Sequence, residues 1–337
     1  MISGINPLSM TPGLRFFSKL TCGLTLFLIF VGGMVTSTGS GLAVPDWPLS
    51  YGTLFPPMIG GVFYEHGHRM VASLAGFLTL VLAFWLNSAE KRCWVKCLGW
   101  TALLAVILQG ILGGMTVLFY LPTPISVSHG ILAQTFFVLT IILAYSQSQE
   151  RQDRERHSEK NTYPQLLRTG TIFFGLIYIQ LILGAIMRHT GSGLAIPDFP
   201  MMGGKWLPTF DARMLDVINA WRFDHDLDPV TMHQIFYHFS HRLGACFILI
   251  CLCIMNIIGL KYSYLDEKVK FILGLLNIFV LLQITLGITT VLTLRSPVIT
   301  SLHVVMGAAI LGTSTVLLLR LAPVSFKDFQ HAFTSSQ

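Results

Sequence analysis

Residues 38–48 read TGSGLAVPDWP, and residues 190–200 read TGSGLAIPDFP. A second block recurs in the same order, YEHGHR at 64–69 and YHFSHR at 237–242. A third runs from Gln109 through Leu112-Gly113 and Thr116-Val117-Leu118 to His129. It recurs from Gln283 through Leu286-Gly287 and Thr290-Val291-Leu292 to His303. Three blocks in one order mark an internal duplication, which fixes the architecture before any single residue is weighed. The offsets of 152, 173 and 174 residues place an insertion of 21 residues in the second half, between its first two blocks.

The material between the blocks is apolar. Of 337 residues, 53% are hydrophobic and 11% charged, against about 25% charged in an ordinary soluble domain. Mean hydropathy is +0.66. Apolar runs of about 20 residues, each long enough for a hydrocarbon core of about 30 Å, predict helices near 20–38, 67–88, 97–119, 127–146, 170–188, 237–259, 271–293 and 301–319. Soluble, disordered and secreted-scaffold classes are excluded.

The net charge of +6 is a topology signal. With a cytoplasmic N-terminus, the inner segments carry Arg15, Lys19, Lys91, Arg92, Lys96, Arg151, Arg154, Arg156, Lys160, Arg168, Lys261, Lys268, Lys270, Arg320 and Lys327, which is 15 of the 22 basic residues. The long outer segments 39–66 and 189–236 hold Lys205, Arg213 and Arg222. This positive-inside bias fits eight spans with both ends cytoplasmic, and it excludes nucleic acid as a partner. The N-terminus lacks a cleavage site and has no Arg-rich amphipathic character, so the first apolar run reads as a retained helix and a bacterial plasma (inner) membrane is expected.

Four spans per half is an even number, so both halves enter the membrane with the same orientation. The expected fold is all-α, with two parallel-repeat four-helix bundles related by a pseudo-two-fold axis along the membrane normal. The expected divisions are a cytoplasmic N-terminus at 1–19, a first repeat at 20–146, a cytoplasmic linker at 147–169, a second repeat at 170–319 and a cytoplasmic tail at 320–337. The linker reads as a solvated charge run. Six cysteines are present and none lies in an outer segment, so ordinary reduced thiols are expected, Cys93 and Cys97 included.

Four of the 11 histidines stand at equivalent places. His68 and His129 begin the second and fourth spans, and His241 and His303 begin the sixth and eighth. All four are expected in the outer leaflet, one facing pair per bundle. An ionisable group at that depth is costly unless it faces a bundle interior or a ligand. Paired imidazoles on facing helices suit the two axial positions of haem iron. Zinc and di-iron sites need more ligands than are present. The competing reading is four helix-end histidines satisfied by hydrogen bonds.

The halves differ at one place. Glu65 precedes His68 by three residues on one helix face, and its counterpart in the second half is His238. A carboxylate there can move protons or stabilise positive charge, or it is a surface glutamate favoured by the helix dipole. Arg69 and Arg242 are candidate propionate contacts, with snorkelling to headgroups as the alternative. Arg188 and His189 lack counterparts in the first half. The TGSGLA loops read as caps over the pockets, with Asp46 and Asp198 accepting from loop amides. His66, His225 and His233 read as solvated, and His238 as a group tuning the second site.

Together these residues resemble the haem A synthase family, over about residues 20–320. The resemblance rests on the duplicated four-helix units, on Glu65-His66-Gly67-His68-Arg69, on His129, His241 and His303, and on the doubled loops. It implies an oxidoreductase that converts haem O to haem A for terminal oxidase assembly. A ring methyl becomes a formyl group by successive hydroxylations. It implies haem b iron held by His241 and His303, haem O as substrate between His68 and His129, and Glu65 as the catalytic group. The haem sites are then expected toward the outer leaflet. Members with cysteine pairs in the outer loops differ from this chain, which resembles the cysteine-free branch.

The implied partners are the lipid bilayer, a haem O synthase upstream, an electron acceptor the sequence does not identify, and a second copy in a homo-oligomer. The alternative is a di-haem b electron carrier or quinol dehydrogenase subunit, which explains four histidines but not Glu65. A transporter would need polar groups at mid-membrane, where Gln109, Gln180 and Gln283 are more simply helix-to-helix hydrogen-bonding groups.

Overall fold

The computed structural model describes residues 12–157 and 163–322. The expected terminal segments up to residue 11 and from residue 323, with Lys160 and Lys327, lie outside the described residues. Among the described residues the chain forms ten α-helices: α1 (Pro12–Ser37), α2 (Gly61–Ala89), α3 (Cys93–Leu118), α4 (Thr123–Ser146), α5 (Gln149–His157), α6 (Pro164–His189), α7 (Ala212–Phe223), α8 (Met232–Lys261), α9 (Glu267–Leu292) and α10 (Pro297–Leu321). All but α5 and α7 are apolar enough to cross a membrane and have 24 to 30 residues. At 1.5 Å per residue they reach roughly 36–45 Å, longer than the hydrocarbon core.

The protein is therefore an all-α, multi-pass membrane protein. Its helices outrun the apolar segments that betray them, because backbone hydrogen bonding continues into polar flanks. Thus α2 starts at Gly61 and includes Glu65 and His66, which the apolar run alone leaves outside. The up-and-down order puts the long connections 38–60 and 190–231 at one end of the molecule, termed the loop end. The connections α2–α3, α4–α6 and α8–α9 lie at the other, the linker end.

In the first half α1 packs on α2, α2 on α3, α3 on α4, and α4 back on α1, closing a four-helix ring. Helices α6, α8, α9 and α10 close a ring in the same order. The rings meet through α1–α10, α4–α10 and α4–α6 contacts. Inside a bilayer, lipid is as apolar as leucine, so helix association rests on close packing of small residues. The junction has them: a methyl added to Gly33 would lie 3.3 Å from Ser301 Cβ, and one on Gly312 would lie 2.8 Å from Ile141 Cδ1. Each ring has an apolar plug toward the linker end, around Leu82, Leu86 and Phe136 in the first half. Phe173, Leu252, Met255 and Leu276 fill the second.

The linker is not a solvated charge run. Its first part folds as α5, where Gln152 is 3% and Arg154 9% exposed. Arg154 donates to Leu319 O at 2.7 Å and Ala322 O at 3.0 Å. Glu150 accepts from both Arg320 Nε at 2.8 Å and Nη2 at 3.0 Å. Arg92 pairs with Glu90 at 2.8 Å and Glu155 at 3.3 Å. The charges of 149–155 alternate, and α5 meets Arg92 at the start of α3 and Arg320 at the end of α10. Sequence composition shows the charges but not those distant partners.

A second unforeseen element is α7, which lies within the 21-residue insertion of the second half. Asp211 caps it, accepting from Met214 N at 2.8 Å, and this bond holds the Asp211 carboxyl below the usual range. Met214 and Ile218 pack on Ala195, Ile196, Val230 and Ile235. The buried Arg222 ties α7 to Leu194 O at 2.9 Å.

Burial raises the Glu90 carboxyl, but its bonds from Arg92 side chain and backbone and from Gln147 outweigh that, drawing it from 4.5 to about 2. A depressed carboxylate stabilises the fold above its unfolded value, and the benefit fades as pH falls from 4.5 toward 2. Glu90→Gln should therefore lower the melting temperature of the detergent-solubilised protein at pH 7, by an amount equivalent to about 2 kcal/mol. The gap should narrow as the pH is taken below 4.5. An unchanged melting temperature at pH 7 would show that the linker network is not stabilising.

Candidate functional site

The four histidines stand about two turns inside the loop ends of α2, α4, α8 and α10. In each ring they are on diagonal helices, α2 and α4 or α8 and α10, which do not adjoin in the ring order. Each imidazole is seated against a glycine of a neighbouring helix. A methyl added to Gly32, Gly113, Gly184 or Gly287 would lie 3.0, 3.2, 3.2 or 3.0 Å from Cε1 of His68, His129, His241 or His303 respectively. At that spacing any larger residue would push the ring away. The same seat occurs four times, on α1, α3, α6 and α9.

The glutamines do hydrogen-bond between helices, but their partners are these histidines. Gln109 Nε2 donates to His129 O at 3.0 Å and lies 3.3 Å from its ring Nε2. Gln180 Nε2 donates to His241 O at 2.8 Å and lies 3.2 Å from its Nδ1. Gln283 Nε2 lies 3.3 Å from His303 Nε2, while Gln283 O lies 3.2 Å from His303 Nδ1. With the proton assigned to Nδ1, His303 donates to Gln283 O and its Nε2 accepts from the Gln283 amide. The i to i+20 spacing of Gln109–His129 and Gln283–His303 is the sequence signal for these pairs.

Glu65 and His238 occupy one structural place. Glu65 Oε2 accepts from Val44 N at 2.8 Å, and His238 Nδ1 accepts from Ile196 N at 3.1 Å. Glu65 Oε1 is 2.6 Å from Arg69 Nη2, and His238 Nε2 is 3.1 Å from Arg242 Nε. Glu65 is 3% exposed, so it is not a surface residue. It sits one turn from His68 on α2.

Arg69 and Arg242 hold the loops. Arg69 donates to Asp46 O and Leu49 O, both at 2.8 Å, and to Val44 O at 3.2 Å. Arg242 donates to Asp198 O and Ile196 O, both at 2.9 Å, and to Met201 O at 3.2 Å. These guanidinium groups reach the loop carbonyls. Asp46 accepts from Tyr51 N at 2.7 Å and Gly52 N at 2.8 Å, and Asp198 accepts from Gly203 N and Gly204 N, both at 2.8 Å. The Gly52 and Tyr51 amides hold the Asp46 carboxyl below the usual carboxylate range. Gly39 and Gly191 share φ +69°, a left-handed turn that suits glycine. This is the reason for the repeated TGSG.

His66 corrects its expectation as a solvated group. It is 7% exposed, with Nδ1 2.8 Å from Ser50 Oγ, because the first loop folds over it. His225 and His233 are exposed as expected. Arg188 reaches across the junction to Gly33 O at 2.6 Å and Ser37 Oγ at 2.8 Å, and the His189 carbonyl accepts from Thr123 Oγ1 at 3.2 Å. These two residues fasten α6 to the first half, a role with no signal in the chain itself.

The second histidine pair suits a metal at its centre. The His241 and His303 ring centroids are 6.3 Å apart, with planes at 66°. Two metal–imidazole bonds of about 2 Å on opposite sides of one ion need a centroid separation of roughly 6 Å. In the first half the buried Nδ1 atoms of His68 and His129 have no hydrogen-bond partner, which accords with groups kept for a ligand.

The clamp yields a direct test. Hydrogen bonds to a charged donor are worth about 1.5–3 kcal/mol, so Arg69→Ala should speed amide exchange across 44–52 roughly tenfold or more while leaving 196–204 protected. Equal exchange in both proteins would show that Arg69 does not hold the loop.

The match to known proteins extends over this whole frame. The COX15-CtaA family, described as cytochrome oxidase assembly protein, matches residues 15–60 and 59–315. A haem A synthase of Halalkalibacterium halodurans is 28% identical over 323 residues, covering 93% of this chain and 98% of its own. One of Bacillus licheniformis is 33% identical over 207 residues, 59% of this chain and 67% of its own. One of Rickettsia prowazekii is 26% identical over 322 residues, 84% of this chain and 90% of its own. The chain belongs to the COX15-CtaA family of cytochrome oxidase assembly proteins.

Proposed function

We propose that this chain is a haem A synthase, an enzyme that oxidises a ring methyl of haem O to a formyl group. The observation that carries the reading is the pairing of half-buried histidines on diagonal helices of each ring, with a carboxylate beside one pair only. His68 and His129 bracket the substrate haem O, and His241 and His303 hold haem b. Bound there, haem b supplies a one-electron relay toward an acceptor.

Each hydroxylation of the methyl takes its oxygen from water and releases two protons and two electrons. Two such steps give a geminal diol, and loss of water leaves the formyl group. Glu65 is the side chain placed to act on those protons or on developing positive charge. Arg69 and Val44 N hold its carboxylate within one turn of His68. His238, in the same place of the second half, offers no carboxylate, which suits a site that relays electrons without bond-making. The two loops, clamped by Arg69 and Arg242, cover the loop end and limit water to what the reaction consumes.

The distribution of basic residues supports a loop end facing outward and a linker end in the cytoplasm, in a bacterial inner membrane. A haem O synthase is the partner that supplies substrate, and the two rings act as a substrate half (20–146) and a haem b half (170–319).

The test is chromatographic and mass identification of the haems extracted from protein purified out of cells that also make haem O. Wild type should yield haem b, haem O and haem A. Glu65→Ala should accumulate haem O, with haem A reduced about a hundredfold or more. Two equivalents of haem b and no haem A in any variant would overturn the reading in favour of a di-haem electron carrier.

A further inference from the structure

The two rings differ in charge beside their histidines. Arg69 and Asp46 of the first half match Arg242 and Asp198 of the second, so these four cancel in the comparison. Two differences remain near the pockets. The first half has Glu65 where the second has His238, and Thr36 where the second has Arg188, at the offset of 152 residues. The first pocket thus carries an extra carboxylate and the second an extra guanidinium. Both differences make the second pocket the more positive.

Arg188 is placed to act on the second histidine pair. It lies one turn beyond Gly184, the seat of His241, on the same face of α6. Its Nη2 donates to Gly33 O at 2.6 Å and to Ser37 Oγ at 2.8 Å. Ser37 Oγ is 3.0 Å from Ser301 Oγ, and Ser301 stands two residues before His303 on α10. The guanidinium therefore sits at the junction of the rings, close to both ligands of the second pair. Its acceptors are neutral, and among the described residues no carboxylate pairs with it. A half-buried cation inside a span is costly, and a neutral donor would make the same bonds without that cost.

We propose that Arg188 makes the second site the electron-accepting one, by placing a positive charge beside the iron held by His241 and His303. Reduction of ferric to ferrous iron adds one electron, so a fixed cation nearby favours the reduced form. The absence of a carboxylate at 238 acts in the same direction, and Glu65 acts in the opposite direction at the first pocket. Both pockets offer two imidazoles, so ligand identity supplies no difference in potential between them. The surrounding charge supplies it, and electrons released at the substrate site run toward the second ring. Arg188 acts through its charge and makes or breaks no bond.

This inference rests on the histidine pairs binding haem, and the experiment separates the two. Full-length protein purified with its haems is titrated with dithionite and ferricyanide in the presence of redox mediators. Absorbance follows the low-spin component that is absent from His303→Ala. Arg188→Gln should shift its reduction equilibrium toward ferric iron roughly tenfold, a midpoint about 59 mV lower, as expected for one charge lost at about 10 Å. Arg188→Lys should stay within about threefold of wild type, because it keeps the charge. Ser37→Ala removes a hydrogen bond and no charge, and should leave the midpoint unchanged. Where Arg188→Gln does not fold, His238→Glu serves instead: it sets the first half's carboxylate against Arg242 and should lower the midpoint by a similar factor. An unchanged midpoint in the variant so tested would overturn the proposal while leaving the haem site standing. A fall in Arg188→Lys as large as in Arg188→Gln would overturn it as well, by showing that bond geometry and not charge sets the potential. Wild-type protein without a low-spin haem dependent on His303 would instead remove the haem-binding reading, and this proposal with it.

Discussion

Four imidazoles half-buried in an apolar helix bundle are the constraint on which the rest of this structure depends. A polar ring in that setting is costly unless its orientation is fixed and its nitrogens are used. The chain meets the cost the same way four times, with a glycine on the adjoining helix that lets the ring lie against backbone. The placing of Gly32, Gly113, Gly184 and Gly287 therefore follows from His68, His129, His241 and His303. The diagonal arrangement in each ring keeps the two histidine-bearing helices apart.

The loops follow from the same constraint. Glu65 and His238 both sit where α2 and α8 meet the TGSG loops, and each is held by a loop amide and by an arginine one turn on. The architecture is thus indifferent to whether that position is acid or imidazole, and chemistry is free to differ there. A scaffold that fixes geometry twice while leaving one side chain to vary allows two chemically different sites to share one fold.

Much of this was legible in the sequence, for physical reasons. Eight spans follow from runs of apolar residues, and the equivalence of the histidines follows from blocks repeated in order. Family membership then made the haem reading specific. What stayed hidden depends on contacts between distant residues. Composition showed charge in 149–157 but not that Arg320 and Arg92 would meet it, so a packed helix looked like a solvated linker. Arg69 reads as a propionate contact or a snorkelling group, and its bonds to the carbonyls of 44–49 carry no signal in the sequence. His66 was misread because its burial comes from a loop folding back over it. The helix α7 did carry a signal, Asp211 before Met214, Leu215 and Ile218, but it is short beside the apolar spans.

The central claim is that His241 and His303 together hold one haem iron. Electron paramagnetic resonance of the purified, oxidised protein tests it most directly. The account predicts a low-spin ferric signal of two imidazole ligands that persists in His129→Ala and is lost or converted to high spin in His303→Ala. A low-spin signal unchanged in both His241→Ala and His303→Ala would contradict it, and would place the resident iron elsewhere.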